Sequence, residues 1–238
     1  MEELETILKQ FETKKNEWKG TWNEEAVAAC FKPCAEDILC NGYFLVNNKY
    51  IIDLGAIELY YHEEGEDEDK IRDYAMYHIP ERYQSPKIEG VIKLENKLPY
   101  FELGSFNLHQ SGVDVTFEKE NEYRASFLIR AYRVLVAEEG GMYPKKTETK
   151  YDVHSTHIFD DMFYNGYPTQ ISWKNNPKNG ATMDEPYYRT NLKKKERKLN
   201  KKGRYYIETC NEYDTRKWQF KLNIEELKSL NKQYDNKN

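Results

Sequence analysis

The stretch Asn41-Gly42-Tyr43-Phe44-Leu45-Val46-Asn47-Asn48-Lys49-Tyr50-Ile51-Ile52-Asp53-Leu54-Gly55-Ala56-Ile57-Glu58-Leu59-Tyr60-Tyr61 decides the fold class. Two apolar runs, Tyr43 to Val46 and Tyr50 to Asp53, flank the polar turn Asn47-Asn48-Lys49, the pattern of an antiparallel hairpin. A further strand is predicted over Ala56 to Tyr61. Just upstream, Ala35-Glu36-Asp37-Ile38-Leu39 reads as a helical turn that follows Pro33 and stops at Asn41-Gly42. Helix running straight into hairpin indicates an α+β chain with short, mostly antiparallel strands.

The rest of the chain extends that pattern in both directions. Leu4, Ile7, Leu8 and Phe11 recur at helical spacing, predicting an amphipathic helix over residues 2 to 19, and a second helix covers Glu24 to Ala29. Beyond Tyr61 comes an acidic loop, then Ile71 to His78, which fits helix and strand equally. Val91 to Leu94 and Tyr100 to Leu103 flank another turn, and Gly112 to Phe117 alternates as a strand. Ala125 to Val136, β-branched and aromatic, reads as a central strand. Ser155 to Phe163 looks like a helix capped at Ser155 or Thr156. Tyr205 to Glu208 and Trp218 to Leu222 read as late strands and Ile224 to Leu230 as a closing helix. The expected organisation is a helical segment over 1–34, a mixed α+β body over 35–222 and a C-terminal helix and tail over 223–238.

The 238 residues include 20 Tyr, 10 Phe and 4 Trp, so a core can be built from rings whose hydroxyls still reach polar partners. The net charge of -5 does not mark a polyanion binder as a whole. The charge is uneven, however: Glu63 to Asp69 holds six carboxylates in seven residues, and Lys193 to Arg204 has eight Lys or Arg against Glu196. A local basic strip attracts phosphates even when the total is negative, although such strips also serve as solvated faces. The four cysteines, Cys30, Cys34, Cys40 and Cys210, form no disulfide framework, and no His pair has zinc-finger spacing. Reduced thiols, no metal and no cofactor are expected. The acidic N-terminus lacks an apolar targeting core and no run approaches a membrane span, so a soluble, cytoplasmic, monomeric protein is expected.

The order of segments resembles the alkyladenine (3-methyladenine) DNA glycosylase family. The blocks that carry the resemblance are Ala35 to Val46, Ile57-Glu58-Leu59-Tyr60, the His-containing Asp73-Tyr74-Ala75-Met76-Tyr77-His78, and Ala125-Ser126-Phe127-Leu128-Ile129-Arg130-Ala131. Ser155 to Phe163, Tyr188-Arg189-Thr190-Asn191 and Gly203-Arg204-Tyr205-Tyr206-Ile207 fit more loosely, so the likeness spans roughly residues 35 to 208. It implies a single mixed domain with a curved, mostly antiparallel sheet flanked by helices. It also implies hydrolysis of the N-glycosidic bond of a flipped base in double-stranded DNA, leaving an abasic site.

On that resemblance Glu58 is the catalytic carboxylate, stabilising an oxocarbenium-like sugar and taking a proton from the attacking water. Arg130 orients the carboxylate or touches the adjacent phosphate. Tyr60 and His78 stack on the flipped base, since the target bond is unreachable inside a duplex. Asp114 stands where the family has an Asn that discriminates purines, which points to a damaged or modified base bearing a donor. Phe106 or His109 is the candidate wedge. Lys193, Lys194, Lys195, Arg197, Lys198 and Arg204 would grip backbone phosphates. Excision of modified bases from phage DNA, as antiviral defence, is one version of this activity. A catalytically silent module that reads nucleic acid or protein is the alternative, and the acidic loop favours it.

Overall fold

Strand β2, Tyr50–Glu63, is the axis on which the other elements are hung. The computed structural model describes residues 1–83, 98–137, 144–145, 150–163, 169–189, 192–201 and 205–228. β1, Gly42–Val46, forms the expected hairpin with β2. Asn47 and Asn48 both take left-handed φ, 51° and 54°, and the Lys49 N–H closes the turn on the Val46 carbonyl at 3.0 Å. Asparagine tolerates that conformation because its short side chain bonds locally.

The runs 50–53 and 56–61, expected as separate strands, are one strand broken in phase by a bulge at Gly55–Ala56. Before the bulge Ile52 and Leu54 face the main core; after it Ile57, Leu59 and Tyr61 do. One extra residue has exchanged the faces, because side chains alternate with period two. Glu58, Tyr60 and His62 are thereby turned to the opposite side.

β3 (Phe106–His109), β4 (Gly112–Thr116), β5 (Tyr123–Ala137), β6 (Pro144–Lys145), β7 (Ile171–Asn175) and β10 (Gln219–Lys221) complete an eight-stranded sheet. Its order is β3-β4-β5-β2-β1-β7, with β10 added to β2 and β6 to β5. The pairs are antiparallel and the sheet curls into a half-barrel, so the α+β class and the curved antiparallel sheet are as expected. β8 (Lys193–Leu199) and β9 (Tyr205–Tyr213) form a separate two-stranded ribbon.

α1, Glu2–Glu17, and α2, Glu24–Cys40, pack on one face of the sheet, burying Leu4, Leu8, Phe11, Phe31 and Ile38 with the inward residues of β2, β4 and β5. Asn23 caps α2, its side chain accepting the Ala26 N–H at 2.9 Å. The expected helix break at Pro33 does not occur. Proline removes one donor, but the carbonyl left without it belongs to exposed Ala29, where water can replace the bond. The boundary expected at 34/35 therefore falls inside a helix. Leu227 of the short α4, Glu225–Lys228, belongs to the same core, so the three expected segments share one interior.

Other expectations shift locally. Ile71 to His78 is neither helix nor strand but a chain of turns, and Tyr100 to Leu103 is not a strand. Ser155 does not cap α3, Ile158–Phe163; its hydroxyl donates to the Ser111 carbonyl at 2.7 Å. Residues 91–94 lie outside the described residues. The thiols of Cys30, Cys34, Cys40 and Cys210 are free, and burial pushes Cys34 up to about 12.

Candidate functional site

Behind the bulge, the side chains that turn away from the helices form a polar face. A single cross-strand row runs Gln219–Glu58–Leu128–Asp114–Asn107 over β10, β2, β5, β4 and β3. Glu58 and Asp114 thus share a face two strands apart, about 10 Å at ordinary strand spacing. Glu58 is 1% exposed and Asp114 3%. Burying such charges is costly without partners.

Glu58 finds its partners on neighbouring positions of the same face. The Tyr60 hydroxyl donates to Glu58 Oε1 at 2.7 Å. Arg130 Nε stands 3.9 Å from Glu58 Oε2, an ion pair too long to be a hydrogen bond, and that Nε has no hydrogen-bond partner among the described residues. Burial first, and then the charge of Glu58, hold the Tyr60 phenol well above its ordinary value, so it stays a neutral donor. The structure brings together the two residues expected to be catalytic, Glu58 and Arg130, with Tyr60.

A buried cation braces Tyr60 from behind. The Arg189 guanidinium lies 4.2 Å from the centre of the Tyr60 ring and donates to the Leu59 carbonyl at 3.0 Å. It is ion-paired with Asp73 and, at 3.1 Å, with Asp214, while Arg216 joins the same two carboxylates. Burial pushes Asp73 up, but Arg189 and Arg216 more than offset it and hold the carboxyl below its usual value. Ala75, Met76, Ile79 and Leu128 close the cluster around Tyr60, with Leu192 and Ile207 of the ribbon side packed against it. One face of Tyr60 is therefore occupied by Arg189.

His78 sits in a second cluster of its own. Its Nε2 lies 2.9 Å from Glu118 Oε1, its Nδ1 faces Asn107 Nδ2 at 3.2 Å, and Phe101 meets its ring edge-on. Asp114 approaches His78 Nδ1 only to 3.9 Å and lies closer, 3.1 Å, to His109 Nε2. His109 stacks on Tyr77 at 4.1 Å. Tyr77, His78 and His109 line a cleft of about 160 Å³ with Phe101, Asn107 and Arg124. Tyr60 and His78, expected on opposite faces of one base, thus belong to separate clusters joined by the row through Leu128. Phe106 packs edge-on against Phe44 and Phe163 at the main core, which removes it as a wedge.

The basic strip is a strand rather than a loop. Lys195 and Arg197 lie opposite Thr209 and Ile207, on the side of the ribbon that packs toward Tyr60. Lys194 and Lys198 point the other way and pair with Glu196 at 3.0 Å and Glu208 at 2.5 Å. Lys193 reaches the Asn211 carbonyl and covers the Tyr213 ring. Arg204 lies outside the described residues. The acidic loop is also divided. Glu63 turns inward to Trp22 and Ile71, and Glu64 pairs with Arg124. Glu66, Asp67, Glu68 and Asp69 remain exposed.

Sequence reasoning did not single out Arg189 as a site residue, nor Asp73, Asp214, Glu118, Asn107 or Arg124. A signal existed for Arg124: it alternates with Ser126 and Arg130 against Ala125, Phe127 and Ile129, marking a polar second face. Among the described residues no group of three or more His, Cys, Asp or Glu could hold a metal ion, and no helix is long and apolar enough to cross a membrane. No family model, curated protein or solved structure matches the chain.

Proposed function

We propose that the chain is a monofunctional DNA glycosylase, hydrolysing the N-glycosidic bond of a flipped damaged or modified base and leaving an abasic site. The observation that carries the reading is the buried Glu58 carboxylate, held by the Tyr60 hydroxyl at 2.7 Å and faced by Arg130 at 3.9 Å. Cleavage of an N-glycosidic bond places positive charge on the sugar, and a fixed carboxylate with little competing water stabilises that charge strongly. Glu58 would also take the proton of the attacking water, and Arg130 would hold the carboxylate or the neighbouring phosphate.

Asp114 supports a base with a donor group, because its buried Oδ1 has no hydrogen-bond partner among the described residues. Lys195 and Arg197 lie on the face of the ribbon that packs toward Tyr60 and suit backbone phosphates, which require charge but no sequence. The inward turn of Glu63 and Glu64 leaves four exposed carboxylates in the acidic loop rather than six, which weakens the support that the loop gives to a silent module. Modified bases of phage DNA are one substrate class of this kind.

The near-complete burial of Glu58 favours one competing reading, a silent module that binds nucleic acid or protein. Incubation with alkylated, deaminated and phage-modified duplexes, followed by alkali, separates the two. Strand breaks at the modified base are expected for the glycosylase. Binding without breaks on every duplex would establish the reader instead.

A further inference from the structure

The fully buried Arg189 guanidinium makes separate contacts with its edge and with its face. Along the edge, Nη1 meets Asp214 Oδ2 at 3.1 Å, while Nη2 meets Asp73 Oδ2 and donates to the Leu59 carbonyl at 3.0 Å. The face lies 4.2 Å from the centre of the Tyr60 ring and 5.1 Å from that of Trp218. A planar guanidinium can do both, because its N–H donors lie in the plane and its faces are left to stack. Arg216 already joins the same two carboxylates, at 3.3 Å to Asp73 Oδ1 and 3.0 Å to Asp214 Oδ1. Ion pairing alone therefore does not explain why the second cation is pressed on Tyr60. The Tyr60 hydroxyl in turn donates to Glu58 Oε1 at 2.7 Å. A cation against a phenol ring draws electron density from the hydroxyl and makes it a stronger donor, and linked bonds in a low-dielectric interior polarise one another. Burial first and then Glu58 raise the Tyr60 phenol, and Arg189 pulls it back down against both. Each member of the chain Asp73, Arg189, Tyr60, Glu58 is at most 8% exposed, so water screens it little.

We propose that Arg189 is a positioning residue for base release: through the Tyr60 ring it strengthens and fixes the hydroxyl hydrogen bond that holds the Glu58 carboxylate at the sugar. The inference rests on the glycosylase reading. Arg189 touches no substrate and neither gives nor takes a proton. The Tyr60 hydroxyl keeps its proton throughout, and Glu58 Oε2, on the side of Arg130, takes the proton of water. Tyr60 thereby has a task apart from stacking, since the cation holds one face of its ring and the carboxylate holds its hydroxyl. A knot that merely packed against Tyr60 would support the ring equally well without the hydroxyl, and that difference separates the two roles.

The Tyr60 hydroxyl proton, buried and hydrogen-bonded, is expected to give a downfield NMR resonance whose position reads the strength of the bond without any substrate. Arg189→Met alone would leave two buried carboxylates to one cation, so it is combined with Asp73→Asn, which keeps the knot balanced. The double variant is expected to move the resonance upfield. It should also slow single-turnover release, from whichever alkylated, deaminated or phage-modified duplex the wild type acts on, by about 10-fold, the scale of a desolvated cation–π contact. The half-saturating enzyme concentration should stay unchanged. Asp73→Asn alone leaves Arg189 in place with one counter-charge fewer and is expected to move the resonance downfield, which keeps the proposal refutable should the double variant not fold. In a Tyr60→Phe background the double variant is expected to bring no further slowing. A resonance that stays in place, or equal slowing with and without the Tyr60 hydroxyl, would overturn the role of Arg189 and leave the glycosylase reading intact. Failure of the folded wild type to release base from any of these duplexes would overturn that reading and the role in release with it. The resonance would then tell whether the link from Arg189 through Tyr60 to Glu58 stands by itself.

Discussion

At 1% exposure Glu58 relies on polar neighbours, the Tyr60 hydroxyl among them, for the solvation that water gives elsewhere. Removing the Tyr60 hydroxyl withdraws a hydrogen bond to a buried charge, worth about 1.5–3 kcal/mol. Tyr60→Phe is therefore expected to lose stability by that amount in denaturant melts and to release base more slowly. A second residue-scale expectation concerns acid. Desolvation raises Asp73, Asp214 and Glu81, but Arg189 and Arg216 for the two Asp, and His62 for Glu81, pull all three below their ordinary values, Glu81 to about 2. A carboxylate depressed in the folded state stabilises the fold above its unfolded value and loses that contribution as pH falls through the folded one. Stability measured by urea melts should thus fall steeply from about pH 4.5 toward pH 2. Stability that stays level across that window would contradict the Arg189 network. Glu58, Tyr60 and Arg130 were named from the sequence through the family resemblance, and they meet on the face that the bulge at Gly55–Ala56 turns away from the main core. Glu118 and Arg189 were not legible, since their partners are brought to them by turns between strands far apart in the chain.

At the scale of elements, Gly55 sets which residues face the site. A Cβ there would meet the Tyr151 ring at 2.5 Å and Leu227 at 3.0 Å, contacts that force movement. Gly55→Ala is expected to destabilise by about 1–3 kcal/mol, as overpacking does, and to reduce activity because the bulge aims Glu58. Wild-type stability and rate in that variant would show that the bulge does not position the carboxylate. The strands either side of it were readable from their apolar content, and so was the Asn47-Asn48-Lys49 hairpin. Their union into one strand was not, because a phase reversal at glycine looks in sequence like a gap. Pro33 misled for a similar reason: whether a proline breaks a helix depends on whether the carbonyl it deprives is exposed, which is a tertiary property.

For the whole molecule, charge placement matters more than the net value of -5. The ribbon sorts the basic strip, with Lys195 and Arg197 toward the site and Lys194 and Lys198 toward acidic partners. Neutralising Lys195 and Arg197 together is expected to flatten the slope of log binding constant against log salt by about 2, whereas the Lys194 and Lys198 pair should change it little. The reverse order of effects would place DNA on the other side of the ribbon. The α+β class was readable from segment order and the curved sheet was implied by the family resemblance, while the sharing of one core by α1, α2 and α4 was not legible, because periodicity shows which face is apolar but not what covers it.

The most direct measurement is single-turnover release of free base from modified duplex, followed by chromatography, for wild type and Glu58→Gln at matched folding and DNA binding. The wild type is expected to release base and the variant to be slower on the order of 10²–10⁴-fold. Equal rates in the two proteins would remove Glu58 from the chemistry.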